Sequence, residues 1–371
     1  MWLLRRYGSV NFYFIALIIL SIIAIYITFD GSQFRESLPS KILDIAATFD
    51  NTPVEYFHVD IDLTSSQAIC QSDDILLVYI LSTRSNFRRR EIIRSTWGSK
   101  QNGTCFVFVI GEISGTEGNA AEIQMKVKDE RQQFNDIIEI NHIETYANVV
   151  YKEVGALQWS YQFYPNISYL FKTDDDLIVD TLLLSYMTKI LVTNSKKTDS
   201  YILKYDPLLV ANLLSSDRTT FFRGAWAIDF QLTGRGNGKF GVSETIWPHR
   251  FLPPYCSGFG WYMSNHVRNK LVYAANTYPL HKVVWIGDVF ASGFLAKVAK
   301  VRCIPIPLAY DQSHFGNCSC LMASNPVLTV CSTTFHSGLG KTLEQKFDEY
   351  RKAWKIIQLR HNVTAMVTID C

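Results

Sequence analysis

The sequence predicts an α/β fold in which helices cover both faces of a parallel sheet. Two short, nearly unbroken apolar runs, Ile75–Leu81 and Cys105–Ile110, read as strands buried on both faces. A longer segment carries helical spacing, with Tyr146, Val150, Val154, Leu157 and Tyr161 on one face until Pro165 stops it. A third apolar run, Tyr169–Phe171, passes directly into Asp174, Asp175 and Asp176, so three carboxylates stand where a strand ends. Alternation of strands and helices makes a parallel sheet. Such sheets bind ligands beyond the carboxyl ends of their strands.

The chain opens with Arg5 and Arg6 before Tyr7–Phe29, a stretch without a charged residue. As a helix it spans ~34 Å, enough for a bilayer core of about 30 Å. The flanking arginines put its N-terminal side in the cytosol. No small-residue cleavage site closes the run, so it reads as a signal anchor rather than a cleaved leader. Gly31 to about Ala68 has mixed polarity and the character of a stem. Folded character begins at Cys70. Phe87–Trp97 reads as a basic helix, Gly118–Phe134 as a polar helix, and Asp136–Ile140 as a third strand.

The second half is less regular. Thr219–Ala227 reads as a strand and Gly234–Gly241 as a flexible connection. Trp247–Trp261 is dense in aromatics, prolines and glycines; it fits either a sugar-stacking ligand loop or an aromatic core loop. Asp288 opens an apolar helical stretch, where it can cap the helix, act as a general base, or both. Lys341–Leu359 reads as a charged amphipathic helix.

Composition narrows the function classes. A net charge of +2 leaves no electrostatic footprint for nucleic acid. Eight cysteines suit an oxidising compartment. Four glycosylation sequons, at Asn102, Asn166, Asn317 and Asn362, agree with it. His314, Cys318, Cys320 and Cys331 have zinc-like spacing, but disulfides fit that compartment better.

Three adjacent acids repel one another and call for a counter-charge. Magnesium or manganese, hard cations with oxygen ligands, would supply it. An acidic surface turn is the plainer alternative, and the position at a strand end favours the metal site.

Six motifs in order carry a family resemblance: Arg90–Gly98, Phe106–Gly111, Glu144–Lys152, Phe171–Asp176, Pro253–Gly258 and Asp288–Gly293. With them the chain resembles the beta-1,3-galactosyltransferase family, which includes beta-1,3-N-acetylglucosaminyltransferases and is similar to the fringe enzymes. The resemblance implies a GT-A-like, Rossmann-like fold and inverting transfer of a hexose, galactose foremost, from a UDP-sugar to an acceptor glycan hydroxyl. It implies a cytosolic tail (1–6), a transmembrane anchor (7–29), a luminal stem (30–69) and a catalytic domain (70–371) in the Golgi membrane. Asp174, Asp175, Arg90 and Arg94 are the implied donor-binding residues. Asp174, Asp176 and His336 are the implied manganese ligands, with His314 the alternative histidine. Asp288 is the implied base. Where the family usually has an acid just before that aspartate, this chain has Gly287. That departure keeps open a non-catalytic relative that binds a glycan or a partner. A metal-dependent phosphohydrolase is disfavoured, since no second acidic or histidine cluster supplies a two-metal site.

Overall fold

A computed structural model describes residues 54–61, 69–114, 118–195, 203, 206–305 apart from 225 and 237, 310–311, and 317–362 apart from 334 and 336–341. The anchor at Tyr7–Phe29 lies outside the described residues. No described helix is long and apolar enough to cross a membrane.

In chain order the first elements are β1 (Leu76–Leu81), α1 (Phe87–Arg94), β2 (Thr104–Glu112), α2 (Ala120–Phe134), β3 (Ile137–Ile143), α3 (Val149–Phe163), β4 (Tyr169–Asp174), β5 (Leu177–Val179) and α4 (Thr181–Thr193). Then come α5 (Pro207–Leu214), β6 (Phe222–Gly224), β7 (Ala227–Ile228), β8 (Tyr255–Cys256), β9 (Trp261–Ser264) and α6 (Asn265–Asn276). A helical stretch follows: α7 (Gly287–Val289), a π-helical turn (Phe290–Leu295) and α8 (Ala296–Val298). Last are β10 (Ile304–Pro305), β11 (Tyr310–Asp311), α9 (Cys318–Ser324), β12 (Val330–Ser332) and α10 (Leu343–Asn362).

The main sheet has the strand order β10-β6-β9-β4-β1-β2-β3. Strand β1 is buried at every position. Leu77, Tyr79 and Leu81 enter one apolar core while Leu76, Val78 and Ile80 enter the other. This is the period-two alternation of a strand covered on both sides. Helices α3 and α6 pack on the first face; α1, α4, α5 and α10 pack on the second.

Strands β2 and β3 continue on one side of β1, and β4 pairs parallel with β1 on the other. The strand order therefore reverses at β1. The crevice of an open α/β sheet lies at such a reversal. Leu81, the last residue of β1, pairs with Asp174, the last of β4. The aspartates thus stand at the switch point.

Beyond β4 the sheet departs from the all-parallel expectation. Strand β9 runs antiparallel to both β4 and β6. No helix separates β6 from β9 in the chain, so no crossover forces them parallel. The strand expected over Thr219–Ala227 divides into β6 and β7, which join different sheets. Gly234–Gly241 is a closed loop rather than a loose connection: Gly234 bridges Gly241, and Arg235 donates to the carbonyls of Val242, Trp247 and His249. Residues 54–61, expected in the stem, lie against the folded domain. Phe57 and Val59 are buried in the α3 core, and Ile61 bridges Ile140.

Disulfides join Cys70 to Cys105, Cys256 to Cys303, and Cys318 to Cys331. Cys320 is disulfide-bonded too. These bonds remove the zinc alternative for that group. Asn102, Asn166 and Asn317 are exposed, as a glycan would require.

A buried ionic clamp ties α10 to the body. Asp180 caps α4 by accepting from the Leu183 N–H, and its carboxylate takes Arg360 Nε at 2.9 Å and His361 Nε2 at 2.9 Å. Arg360 also donates to the carbonyls of Met322, Asn325 and Leu328.

Candidate active site

The site begins where β4 stops. Asp174, Asp175 and Asp176 form the turn into β5, and each side chain meets a different fate. Asp175 is buried, with its carboxylate fully engaged. It accepts from Ser82 Oγ at 2.6 Å, Asn86 Nδ2 at 2.8 Å and Arg89 Nη1 at 2.8 Å. It is the structural peg that holds the turn to the loop after β1. Asp174 and Asp176 are only partly buried. Tyr350 of α10 donates to the Asp175 carbonyl, and Thr333 Oγ1 donates to the Asp176 carbonyl at 2.6 Å. Backbone contacts therefore fix the turn, while the side chains of Asp174 and Asp176 stay partly exposed.

Lys172, buried in β4, links this turn to Asp288. Its Nζ donates to Asp174 Oδ1 at 2.8 Å and to the Gly258 carbonyl, and it lies 3.2 Å from Glu153 Oε1. The Gly258 N–H in turn donates to Asp288 Oδ2 at 2.9 Å, while the Val289 N–H donates to Oδ1 at 2.9 Å. An added Cβ at Gly258 would stand 3.4 Å from Lys172 Nζ and 3.6 Å from Asp288 Oδ2, ordinary contact distances that put this residue directly against both groups. Ser292 Oγ donates to the Asp288 carbonyl at 2.7 Å, which fixes the helical stretch.

The electrostatics follow from this crowding. Burial, opposed by Lys172 and reinforced by Asp176 and Asp175, raises Asp174 to about 6. Burial raises Asp288 from its ordinary value, against the pull of Lys172 and of the Gly258 and Val289 N–H groups. Burial alone would lower Lys172, but Asp174 and Glu153 override it and keep the ammonium charged.

The donor set at the turn fits a hard divalent cation. It offers only oxygen ligands, and the charges of Asp176 and Asp175 add to burial in raising Asp174. Asp174 and Asp176, the partly exposed acids of the turn, are the residues that could hold one. His336 and the alternative His314 lie outside the described residues.

The galactosyltransferase family model matches residues 88–307, more than half of the chain. The chain belongs to the galactosyltransferase family. UDP-GalNAc:beta-1,3-N-acetylgalactosaminyltransferase 1 of Rattus norvegicus is 27% identical over 205 residues, covering 54% of this chain and 54% of the relative. Beta-1,3-galactosyltransferase 5 of Homo sapiens is 27% identical over 227 residues, covering 59% of this chain and 62% of the relative. The matches thus span between half and two thirds of these relatives' length. A solved glycosyltransferase of Streptococcus pneumoniae aligns with a TM-score of 0.34 at 14% identity, covering 77% of this chain and 62% of that one.

Within this galactosyltransferase-family chain, several motif residues turn out to be scaffold. Arg90 is fully buried, and its donors go to Glu130, Ser82 Oγ and the carbonyls of Thr83 and Arg84. Arg94 spends its guanidinium on Asp136, at 2.7 Å through two nitrogens, and on Glu130 at 2.6 Å. The arginine of α1 that reaches the aspartates is their neighbour Arg89, through Asp175. Glu144 braces loops, accepting from the N–H groups of Gly111 and Arg84.

Asp288 is not the cap of its helix. Ile286 holds that position, and Asp288 sits in the first turn with its carboxylate turned back to Gly258. Trp247 and Trp261 are buried, so that stretch is mainly an aromatic core loop. Trp261 Nε1 donates to the Tyr79 hydroxyl at 3.0 Å.

An exposed aromatic beside the site is Tyr146, whose ring stands 5.6 Å from Trp285 and 6.4 Å from the exposed Phe240, with Lys239 Nζ 4.3 Å from its centre. Burial, with the charges of Asp288 and Asp174, raises the Tyr146 phenol, which places it in the field of both acids. Sequence reasoning missed Arg89, Lys172 and Tyr146. Lys172 and Tyr146 sit inside motifs already singled out, and Arg89 stands one residue before another.

Proposed function

We propose that the chain is an inverting, UDP-sugar-dependent glycosyltransferase with a GT-A-like fold, moving a hexose to an acceptor glycan hydroxyl in β-1,3 linkage. The observation that carries this is the Asp174–Lys172–Gly258–Asp288 connection, which joins an acidic turn at the sheet's switch point to an acid of raised pKa. Family membership supports the reaction class. Galactose is the sugar proposed; the matched relatives named for galactose and for N-acetylgalactosamine make a donor screen the deciding measurement.

Asp288 takes the proton of the acceptor hydroxyl as that oxygen bonds to the anomeric carbon. The bond to the UDP oxygen breaks on the opposite face, which inverts the centre. Two backbone N–H groups hold the carboxylate in one orientation. Manganese at Asp174 and Asp176 would neutralise the charge that develops on the diphosphate. Arg89 and Asp175 hold the turn that presents these acids. A type II protein of the Golgi membrane, anchored at Tyr7–Phe29 with the enzyme domain luminal, completes the proposal. Exposed sequon asparagines and disulfides support it.

Two results are expected. Asp176→Ala should abolish manganese-dependent UDP binding measured by calorimetry while the circular dichroism spectrum is kept. Unchanged UDP affinity would make the turn a surface feature. Tyr146 is placed as the acceptor's stacking face, because aromatic rings carry amphipathic ligands well. Tyr146→Ala should raise the acceptor KM by about tenfold, the equivalent of about 1.4 kcal/mol, and leave the donor KM in place. A donor-side effect instead would remove Tyr146 from the acceptor site.

A further inference from the structure

We propose that Glu153 is a positioning residue for transfer, anchoring Lys172 so that Lys172 sets Asp174 and, through Gly258, Asp288. This rests on the reading of Asp288 as base.

Glu153 is 2% exposed on the apolar face of α3, beside Val150, Val154 and Leu157. Its Oε1 lies 3.2 Å from Lys172 Nζ, and its Oε2 has no hydrogen-bond partner among the described residues. Burial raises Glu153 to about 8 against the pull of Lys172, so holding an acid here is costly, and an apolar side chain would serve the helix as well or better. A buried acid with half its capacity unused is therefore a sign of another role.

The room for this acid comes from Gly287. A Cβ at that position would stand 3.0 Å from Glu153 Cγ and 3.4 Å from Oε1. A side chain at 287 and the side chain of Glu153 thus compete for one volume, immediately beside Asp288. Glycine gives that volume to Glu153.

Lys172 is held from three directions: by Glu153 on α3, by Asp174 on β4, and by the Gly258 carbonyl after β8. Without Glu153 the ammonium is drawn toward Asp174 alone. The Gly258 carbonyl then loses its partner, and the N–H of the same residue is the one that fixes Asp288 Oδ2.

The test uses the luminal protein and its best UDP-sugar. Glu153→Ala should lower kcat by about 10- to 100-fold, the effect of a misplaced reacting group. The donor KM should stay within about twofold, as for an interaction made mainly in the transition state. Glu153→Gln keeps an oxygen for Lys172 and should recover most of the rate. Glu153→Ala combined with Gly287→Glu grows a carboxylate into the vacated volume and should also recover rate, whereas Gly287→Glu alone should not be tolerated. Parental kcat in Glu153→Ala, or no recovery by either second variant, overturns the proposal.

A thermal double-mutant cycle of Glu153→Ala with Lys172→Met needs no turnover. Additive shifts overturn the anchor whatever the parent does. Non-additive shifts with a parent inactive toward every UDP-sugar keep the anchor and remove the transfer reading instead.

Discussion

Asp288→Asn should lower the transfer rate by about 10²-fold or more while leaving UDP affinity in place. The amide cannot take a proton at neutral pH, so a base mechanism fails. The structure also sets what the substitution does to stability. Asp288 accepts two backbone N–H bonds, one on each oxygen. An amide offers only one acceptor oxygen, and its NH₂ would face the other N–H. That mismatch costs about 1–3 kcal/mol. The rate loss should therefore exceed anything a small drop in melting temperature explains, and stopped-time assays well below the melting point separate the two. Near-parental turnover in a folded Asn variant would remove Asp288 from the chemistry and leave it as a clamp on Gly258.

Asp180→Asn should destabilise the domain by about 3–5 kcal/mol, the cost of leaving a buried charge without its partner. Arg360, almost wholly buried, would lose the carboxylate and keep only carbonyl acceptors. Burial alone would raise the Asp180 pKa, but Arg360 and His361 outweigh it and hold the carboxyl well below its ordinary 3.8. The sign follows from linkage: a lowered folded pKa gives stability that is complete above 3.8 and is lost as pH falls through the folded value. Denaturant titrations below pH 4 should show a loss in the parent that is absent from the Asn variant. A parent and variant that lose stability in parallel would show that Asp180 does not drive the acid response. The same variant should weaken UDP binding, because α10 carries the Tyr350 hydroxyl that grips the acidic turn.

The parallel part of the sheet was legible because β1, β2 and β4 are buried on both faces and read as apolar runs. The position of the three aspartates was legible for the same reason, since β4 leads into them. Their division of labour was not. Asp175 is a peg because Ser82, Asn86 and Arg89 converge on it from the loop after β1, a pairing that no local pattern encodes. In the run Arg88–Arg90, only the backbone register of α1 decides which guanidinium meets the acids and which is buried against Glu130. The direction of β9 depended on a connection without a crossover helix. Glu153 did leave a signal: an acid inside the apolar stripe of α3. The aromatics of Trp247–Trp261 were ambiguous because the same residue types serve cores and sugar sites.

The grip of α10 on the acidic turn has a consequence for biosynthesis. Tyr350 meets the Asp175 carbonyl across 175 residues, and Arg360 meets Asp180 across 180. Contacts of such separation form late, because closing the intervening loop costs entropy before the contact rewards it. A nascent chain emerging N-terminus first presents β1 through β4 well before α10 leaves the ribosome. During that interval the strands exist while the acidic turn lacks its latch. The acidic turn therefore gains its latch late, only when α10 docks.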